Sequence, residues 1–390
     1  MKYFVTTLCL CFCALGLHAQ IAEIPFETKK DLMLIKVQVN NEKKTRTFVL
    51  DTGAGSAVLD AGVAREMGIK VDNTQSVSGA GGRETYDFAK NHRISIGENV
   101  QLQQVEFALV DLSDLNQRLE RKFDGIIGHS LLQGFVTKID FDRKRISFYE
   151  KIEQVNVADY EAIRVQFFSG IPIVISEVAV TLTNGRTYDG AVLFDTGAAL
   201  TLSVNTPYEN KHQLARQSEK TLISESQNLT NKSISEDIAI KSMRFGRYEL
   251  GEMVISIAHD TKGVSSYGGI LGILGGKVIS RFNLVLDYRR SMMYFKPNNS
   301  FDKEFEFPLS AITLEKKGRN IVVERVQKNS PAYEKGVRKG DQVLSVGGNT
   351  SNNIDVYRKI LKQEGKSCVL KLKAQNGTTR TVSLKLQRLL

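Results

Sequence analysis

The chain has 390 residues, of which 42% are hydrophobic and 25% are charged. This composition excludes an intrinsically disordered or collagen-like chain, and the length predicts about two to four domains. The net charge of +10 is concentrated at one end, because residues 20–300 carry 34 basic and 34 acidic residues while residues 301–390 carry 18 and 9. The basic segment does not interleave aromatic residues with its cations as single-strand binders do, so no nucleic-acid partner is expected.

The first nineteen residues have the pattern of an export signal. Lys2 provides the positive start, and residues 3–17 are apolar apart from Thr6 and Thr7. The apolar run of 15 residues is shorter than the ~20 residues that span a bilayer, and a retained membrane anchor is the alternative. We expect cleavage of residues 1–19 before Gln20, no stable membrane insertion, and a secreted or periplasmic mature protein.

Cysteine and histidine usage argues against metal and disulfide chemistry. Three of the four cysteines lie within residues 1–19, which leaves Cys368 alone in the rest of the chain and predicts a buried apolar role for it. The five histidines are scattered and form no zinc-ligand spacing. No metal and no cofactor are therefore expected, and no phosphate loop or serine-nucleophile motif occurs.

The local pattern predicts strands through most of the chain. Apolar residues alternate over residues 32–39 and again over residues 174–182, where an Asn-Gly pair at 184–185 predicts a hairpin turn. Helical patterns are few and short, and the clearest cover residues 59–67 and 114–122. The sequence predicts an all-β fold.

An internal repeat divides this β region into two halves. Residues 48–55 read FVLDTGAG and residues 192–199 read VLFDTGAA, so that Asp51 and Asp195 lie 144 positions apart. An apolar segment ending at Gly128 is echoed by one ending at Gly272, and this offset is also 144. A third echo closes each half, near residues 139–148 and 286–295. Three elements repeated in the same order predict a duplicated lobe.

These repeated elements resemble those of the aspartic peptidases, in which an apolar-apolar-Asp-Thr/Ser-Gly motif places one catalytic aspartate in each lobe. The resemblance covers roughly residues 25–298 and implies a two-lobed acid-protease β-barrel architecture, with lobes at residues 20–155 and 156–300. It implies that Asp51 and Asp195 meet, share one proton and activate a water molecule. It also implies supporting roles for four neighbours: Thr52, Gly53, Thr196 and Gly197. Gly128 and Gly272 resemble the glycines that pack beneath the catalytic loops.

The resemblance departs from the pepsin-like pattern at one position in each lobe. Ala54 and Ala198 stand where pepsin-like enzymes tend to have a hydroxyl that bonds the outer carboxylate oxygen. Because a hydrogen bond to the charged form lowers a pKa, its loss leaves the pKa values of the aspartates higher. We therefore expect an activity optimum between mildly acidic and neutral pH.

A glycine-rich turn in the first lobe has the pattern of a mobile flap. Residues 76–88 place Gly81 and Gly82 between two β-prone stretches, and Tyr86 follows where an aromatic side chain would reach over the substrate. An ordinary strand tyrosine is the alternative interpretation. Residues 221–238 of the second half contain no comparable glycine turn, so the sequence does not decide whether this half has a flap.

Residues 308–390 carry a second signature, with Ser-Pro-Ala at 330–332, Gly-Val at 336–337, Gly-Asp at 340–341 and Gly-Gly at 347–348. It resembles a bacterial PDZ domain, a small β-barrel with short helices, and implies a domain at residues 301–390. Such domains bind a peptide C-terminus or extended tail by adding a strand to a sheet edge. The expected carboxylate loop and strand are Lys317, Gly318, Arg319, Asn320 and Ile321, with a solvated turn as the alternative.

The resemblances imply an exported aspartic endopeptidase whose PDZ domain docks substrate or partner tails. Its expected partners are a polypeptide in the cleft between the lobes and a peptide tail at the PDZ domain. A duplicated chain supplies both aspartates itself, so a dimer is not required. The alternative is a non-catalytic peptide-binding scaffold that works through the PDZ domain.

Overall fold

Strands form most of the regular structure in this computed structural model, which describes residues 20–79, 82–227 and 232–390. The predicted export signal and Gly81 lie outside the described residues. Among the residues that are described, no helix combines the length and apolar character needed to cross a membrane.

The first lobe contains eleven strands and three short helices within its described residues. In chain order the strands are β1 (Ala22–Pro25), β2 (Glu27–Lys29), β3 (Leu32–Val39), β4 (Arg46–Leu50), β5 (Ala57–Asp60), β6 (Asn73–Gly79), β7 (Gly82–Ile96), β8 (Val100–Val110), β9 (Gly125–Ile127), β10 (Val136–Asp140) and β11 (Arg145–Tyr149). The helices are α1 (Ala61–Glu66), α2 (Ser113–Leu119) and α3 (His129–Leu132). The predicted helices over 59–67 and 114–122 correspond to α1, which is shorter at both ends, and to α2, which begins one residue earlier and ends three residues earlier than predicted.

Local backbone chemistry explains where α1 begins and where α2 ends. The Asp60 side chain accepts a hydrogen bond from the Val63 amide at 2.9 Å, which caps α1 and fixes where it begins. α2 ends at Leu119 because the next residue, Glu120, adopts a left-handed conformation with a φ of +52°.

The second lobe repeats this organisation. Its strands are β12 (Glu161–Phe168), β13 (Ile171–Leu182), β14 (Thr187–Asp195), β15 (Leu202–Val204), β16 (Leu222–Gln227), β17 (Lys232–Phe245), β18 (Tyr248–Leu250), β19 (Met253–Ala258), β20 (Gly272–Gly275), β21 (Phe282–Asp287) and β22 (Met292–Pro297). Its helices are α4 (Thr206–His212) and α5 (Gly276–Ile279). The predicted Asn184-Gly185 turn joins β13 to β14, and Gly185 has a φ of +86°.

Sheet topology reproduces the duplication. The first lobe contains a sheet in the order β2-β3-β4-β9-β5-β8-β7-β6, and the strand that leads to Asp51, β4, runs parallel to β9. In the second lobe β14, which ends at Asp195, runs parallel to β20 in the same way. The third repeat joins the lobes, because β10 pairs with β21 inside a continuous run of strands β1-β11-β10-β21-β22-β12.

The register of these parallel pairs corrects one prediction about the glycines. Leu50 pairs with Ile127, whereas Phe194 pairs with Leu274, so the equivalent of Gly128 is Gly275 and not Gly272. A Cβ atom at Gly275 would lie 2.7 Å from the Ala198 carbonyl oxygen, just as one at Gly128 would lie 2.6 Å from that of Ala54. Gly272 packs against the Ser203 backbone instead. The second lobe therefore has three more residues between its aspartate and this glycine than the first.

The last described unit is a small β structure with its own hydrophobic core. It contains β23 (Ile312–Lys317), β24 (Asn320–Val326), β25 (Gln342–Val346), β26 (Ser367–Lys373) and β27 (Thr379–Lys385), with helices α6 (Pro331–Glu334) and α7 (Ile354–Leu361). The strands form one sheet in chain order, and Cys368 is buried in its core. The expectation of an all-β fold with two lobes and a small third unit is confirmed.

Candidate active site

Asp51 and Asp195 lie at the equivalent ends of β4 and β14, where the two lobes meet. The two carboxyl groups are hydrogen-bonded to each other. A Cβ atom added to Gly53 would lie 2.5 Å from the Asp195 Cγ atom, and one added to Gly197 would lie 2.3 Å from the Asp51 Cγ atom. Each glycine of one lobe thus faces the carboxylate of the other. Only a residue without a side chain fits at either position.

Thr52 and Thr196 bind the two aspartate loops together through reciprocal hydrogen bonds. The Thr52 amide donates to the Thr196 Oγ1 atom at 3.0 Å, and the Thr196 amide donates to the Thr52 Oγ1 atom at 2.9 Å. Each hydroxyl then donates to a carbonyl oxygen of the opposite lobe, Thr52 to Phe194 at 2.7 Å and Thr196 to Leu50 at 3.2 Å. Both threonines are buried, so this network holds the loops in one arrangement.

The glycine amides orient the carboxylates. The Gly53 amide donates to the Asp51 Oδ1 atom at 2.7 Å, and the Gly197 amide donates to the Asp195 Oδ1 atom at 2.8 Å. The Ala198 amide also bonds to the Asp195 carboxyl, and the Gly197 amide also bonds to that of Asp51.

Burial raises the pKa of both aspartates, and that of Asp51 is raised further. Loss of hydration is the largest cause for each, and the pKa of Asp51 is raised in addition by the charge of Asp195 and by its hydrogen bond to that carboxyl. The same hydrogen bond lowers the pKa of Asp195. Two carboxyls in such contact do not both ionise easily and tend to share one proton.

An aromatic group lies close to the dyad and was not identified from the sequence. Tyr288 is 6% exposed, and its ring packs against Phe167 with centroids 4.7 Å apart. Burial raises the pKa of the Tyr288 hydroxyl well above its usual value, and the charges of Asp51 and Asp195 raise it further. This side chain therefore stays neutral at physiological pH.

Family comparisons agree with this geometry. A family model described as aspartyl protease matches residues 35–131, which contain Asp51, and a PDZ domain model matches residues 322–373. The chain contains an aspartyl protease domain and a PDZ domain. No curated protein matches the chain. Asp195 lies outside the matched residues, so its place in the protease domain rests on the internal repeat and on the contacts described above.

The protease domain has a hairpin over its cleft in the first lobe. β6 and β7 pair from Asn73 with Phe88 to Gly79 with Gly82, which places Gly82, with a φ of +122°, at the hairpin end. The Tyr86 side chain lines the cleft, and its hydroxyl donates to the Glu84 Oε2 atom at 3.0 Å. Burial and the Glu84 carboxylate raise the pKa of Tyr86 to about 12. Gly81 lies outside the described residues.

The second lobe contains a corresponding hairpin, which the sequence alone did not predict. β16 and β17 pair from Leu222 with Asp237 to Gln227 with Lys232. Asp237 lies at the base of this hairpin, where it accepts hydrogen bonds from Ser224 at 2.5 Å and Ser256 at 2.7 Å. These polar side chains line the same cleft as the dyad. The sequence did not predict this hairpin because it has no glycine-rich turn. Its place after Asp195, which corresponds to the place of the first hairpin after Asp51, is the signal that could have predicted it.

The five residues predicted to bind a peptide at the PDZ domain lie in a hairpin turn. Gly318 and Arg319 connect β23 to β24, and the side chains of four of the five are exposed while Ile321 is buried. β24 pairs with β23 on one side and with β25 on the other, so Asn320 and Ile321 do not offer a free strand edge. The prediction is corrected in this respect: within the described residues the free edge on this side of the sheet is β23.

One cavity of about 1840 Å³ connects the protease and PDZ domains. It is lined by Asp51 and Asp195, by Tyr86 of the first-lobe hairpin and by Asp237 of the second. It continues to β23 and α7 of the PDZ domain. No group of three or more histidine, cysteine or acidic side chains suited to a metal ion occurs in the described part of the chain.

Proposed function

We propose that this protein is an exported aspartic endopeptidase that hydrolyses peptide bonds with the Asp51–Asp195 dyad. The observation that carries the proposal is the hydrogen bond between the two carboxyls, which lie against the glycines of the opposite lobes. Carboxyls this close retain one proton between them, which gives a general acid and a general base in one site.

The two aspartates take different roles in the proposed reaction. Asp195, with the less raised pKa, is the ionised member and removes a proton from a water molecule, whose oxygen attacks the peptide carbonyl carbon. Asp51 is the protonated member and donates a hydrogen bond to the carbonyl oxygen. When the tetrahedral intermediate breaks, a dyad proton passes to the leaving nitrogen and the C–N bond cleaves. Because the dyad gained one proton from the water and gave one to the nitrogen, it holds a single proton again when the products leave.

Cleavage of denatured casein by the chain from Gln20 onward tests this function. We expect cleavage that a statine-type inhibitor blocks, and we expect Asp51→Asn and Asp195→Asn each to lower kcat by about a thousandfold or more. Asp159→Asn is the matched control, because that carboxylate is 79% exposed and pairs with Lys296 away from the cleft. If casein remains intact across the pH range, the chain is instead a peptide-binding scaffold that acts through its PDZ domain.

The export part of the proposal is supported by the sequence of residues 1–19. If it is right, the protein recovered from the periplasm or medium of the producing cell begins near Gln20. Recovery of the full-length chain in the membrane fraction would instead support a retained anchor.

A further inference from the structure

A row of five apolar residues crosses the first-lobe sheet and lines the cavity beside the dyad. Each member lies opposite the next on a neighbouring strand, and residues that are opposite in this way point to the same face of a sheet. The row begins on β4, two residues before the aspartate, and ends at the base of the first-lobe hairpin. In order, its members are Val49, Ile126, Val58, Ala108 and Phe88.

The second lobe contains the matching row, because its duplicated strands pair in the same register. In order, its members are Leu193, Ile273, Ser203, Ser256 and Asp237. All five line the same cavity. The first two members are apolar like their counterparts, whereas the last three are polar. The second lobe therefore has a carboxylate at the position where the first lobe has a phenylalanine.

Only uncharged groups bind the Asp237 carboxylate among the described residues. Its Oδ1 atom accepts a hydrogen bond from Ser256 at 2.7 Å, and its Oδ2 atom accepts from Ser224 at 2.5 Å and from Gln327 at 2.7 Å. A carboxylate has about four acceptor positions, so the Oδ1 atom retains one for a further donor. The residue is 9% exposed and forms no ion pair with any described side chain. Its charge is shielded from water without being neutralised, which favours the binding of a cation.

A substrate that lies across the dyad passes close to Asp237. Four strand pairings separate Asp237 from Leu193, and neighbouring strands are about 4.8 Å apart, so the path along the sheet is about 19 Å. An extended substrate rises about 3.3 Å per residue, and this path corresponds to about six residues. A substrate side chain that reaches the carboxylate therefore lies within about six positions of the cleaved bond.

From these two rows we infer that Asp237 is a specificity-determining residue, which binds a lysine or arginine side chain of the substrate. The cation donates to the open Oδ1 position and neutralises the shielded charge. Because side chains of an extended chain point alternately to opposite sides, neighbouring substrate residues face the apolar first-lobe row. The inference rests on the proposed peptidase function and names its substrate class, polypeptides in which a basic residue lies among apolar residues near the cleaved bond.

Matched peptides test the inference with the chain from Gln20 onward. Cleavage sites are first mapped in denatured casein by mass spectrometry, and one site is made as a synthetic peptide. Each position within about six residues of the cut is occupied in turn by lysine or by norleucine, which has the same aliphatic chain without the charge. At one position we expect kcat/KM to be about tenfold higher or more for lysine. At positions that face the first-lobe row we expect norleucine to be preferred.

Substitutions at and beside Asp237 separate charge recognition from a structural role. Asp237→Asn and Asp237→Ser both remove the charge, and serine matches the other hydroxyls of the row, so we expect each to bring the ratio of kcat/KM for lysine over norleucine close to one. Gln327→Ala removes the PDZ contact but keeps the carboxylate, and should retain the ratio. Asp159→Asn is the control for loss of one negative charge, because that carboxylate is 79% exposed and lies away from the cleft. Thermal unfolding identifies which variants are folded.

The outcomes distinguish this inference from the function on which it rests. If casein is cut through the dyad but no position favours lysine, the inference is overturned and the peptidase stands. A lysine preference that persists in a folded Asp237→Asn or Asp237→Ser variant overturns it as well. If Gln327→Ala loses the preference to the same extent as Asp237→Asn, contact with the PDZ domain and not the charge determines it, and the inference is wrong. If casein is not cut at all, the proposed function fails and the inference fails with it.

Discussion

At the residue scale, the site depends on small residues whose partners lie in the other lobe. Thr52 bonds to Thr196 and to the Phe194 carbonyl, 142 to 144 positions away. The repeated Asp-Thr-Gly motif predicted which residues would be present. The sequence could not show that each glycine touches the opposite aspartate, because that contact depends on how the lobes dock.

The glycine contact gives a sharp prediction for Gly197→Ala. The added Cβ atom would lie 2.3 Å from the Asp51 Cγ atom, so the carboxylates have to move apart. Because a displacement of about 1 Å costs on the order of a hundredfold in rate, we expect kcat in casein hydrolysis to fall by at least that factor. Gly251→Ala is the control, since nothing lies within 4 Å of a Cβ atom there. Equal activity of the two variants would contradict the proposed dyad geometry.

The raised pKa values of the dyad set the expected pH dependence. The proposed mechanism needs one proton on the pair, so we expect activity to be lost at low pH, where the dyad takes up a second proton, and at high pH, where it loses its last one. Both pKa values are raised, so the rate of casein hydrolysis should peak between mildly acidic and neutral pH. A maximum below about pH 3 would contradict this expectation.

Ala198→Ser tests the cause of that pH dependence. The Ala198 amide already bonds to Asp195, so a hydroxyl at this residue lies near the ionised carboxylate. Donation from that hydroxyl lowers the pKa of Asp195 and moves the acid limb of the pH–rate profile to lower pH. The alkaline limb, which reports Asp51, serves as the internal control. Movement of both limbs together would indicate a general change at the site.

At the element scale, the repeat predicted the strands but not their register. The spacing of 144 matched Gly128 to Gly272, yet the parallel pairing of β14 with β20 makes Gly275 the equivalent residue. The second-lobe segment Gly272-Ile273-Leu274-Gly275 has glycine at both ends, so a match to the first glycine was as good in sequence as a match to the second. Only the pairing of strands decides between them.

The PDZ edge shows the same limitation in a second element. Helical period and alternation in the sequence match its helix at residues 354–361 and its closing strands β26 and β27. The free strand edge was expected at β24 and lies at β23, because the turn at Gly318 folds one strand back onto the other. Which strand of a hairpin is left open depends on the rest of the sheet.

Tyr86 on the first-lobe hairpin gives the prediction at this scale. Its ring lines the cavity while its hydroxyl is bound to Glu84, so the ring is the part available to a substrate. We expect Tyr86→Ala to lower kcat/KM for casein about tenfold through the lost aromatic contact, and Tyr86→Phe to retain nearly all activity. An equal loss in both variants would show that the hydroxyl matters more than the ring.

At the scale of the whole molecule, the PDZ domain contacts the two lobes by different means. It contacts the second lobe through backbone bonds at Ile223 and Lys328 and through the shielded Asp237 carboxylate. It contacts the first lobe through the Arg358–Glu120 ion pair, in which each side chain is 27% exposed. Salt screens an exposed ion pair much more than it weakens backbone pairing. The PDZ domain is therefore expected to stay with the second lobe when the lobes move.

Glu120→Gln tests this asymmetry in the full chain. The substitution removes the charge that holds Arg358 and leaves the contacts at Gln327 unchanged, so the PDZ domain should separate from the first lobe only. Small-angle X-ray scattering should then show a larger radius of gyration for Glu120→Gln than for wild type at low salt, with the difference disappearing at high salt as the wild-type pair is screened. Glu27→Gln is the matched control, because it removes an ion pair with Arg121 inside the first lobe. If both variants match wild type at every salt concentration, the ion pair does not hold the PDZ domain to the first lobe. If the scattering of Glu120→Gln shows that the PDZ domain has moved away from both lobes, the backbone contact at Ile223 is weaker than its geometry indicates.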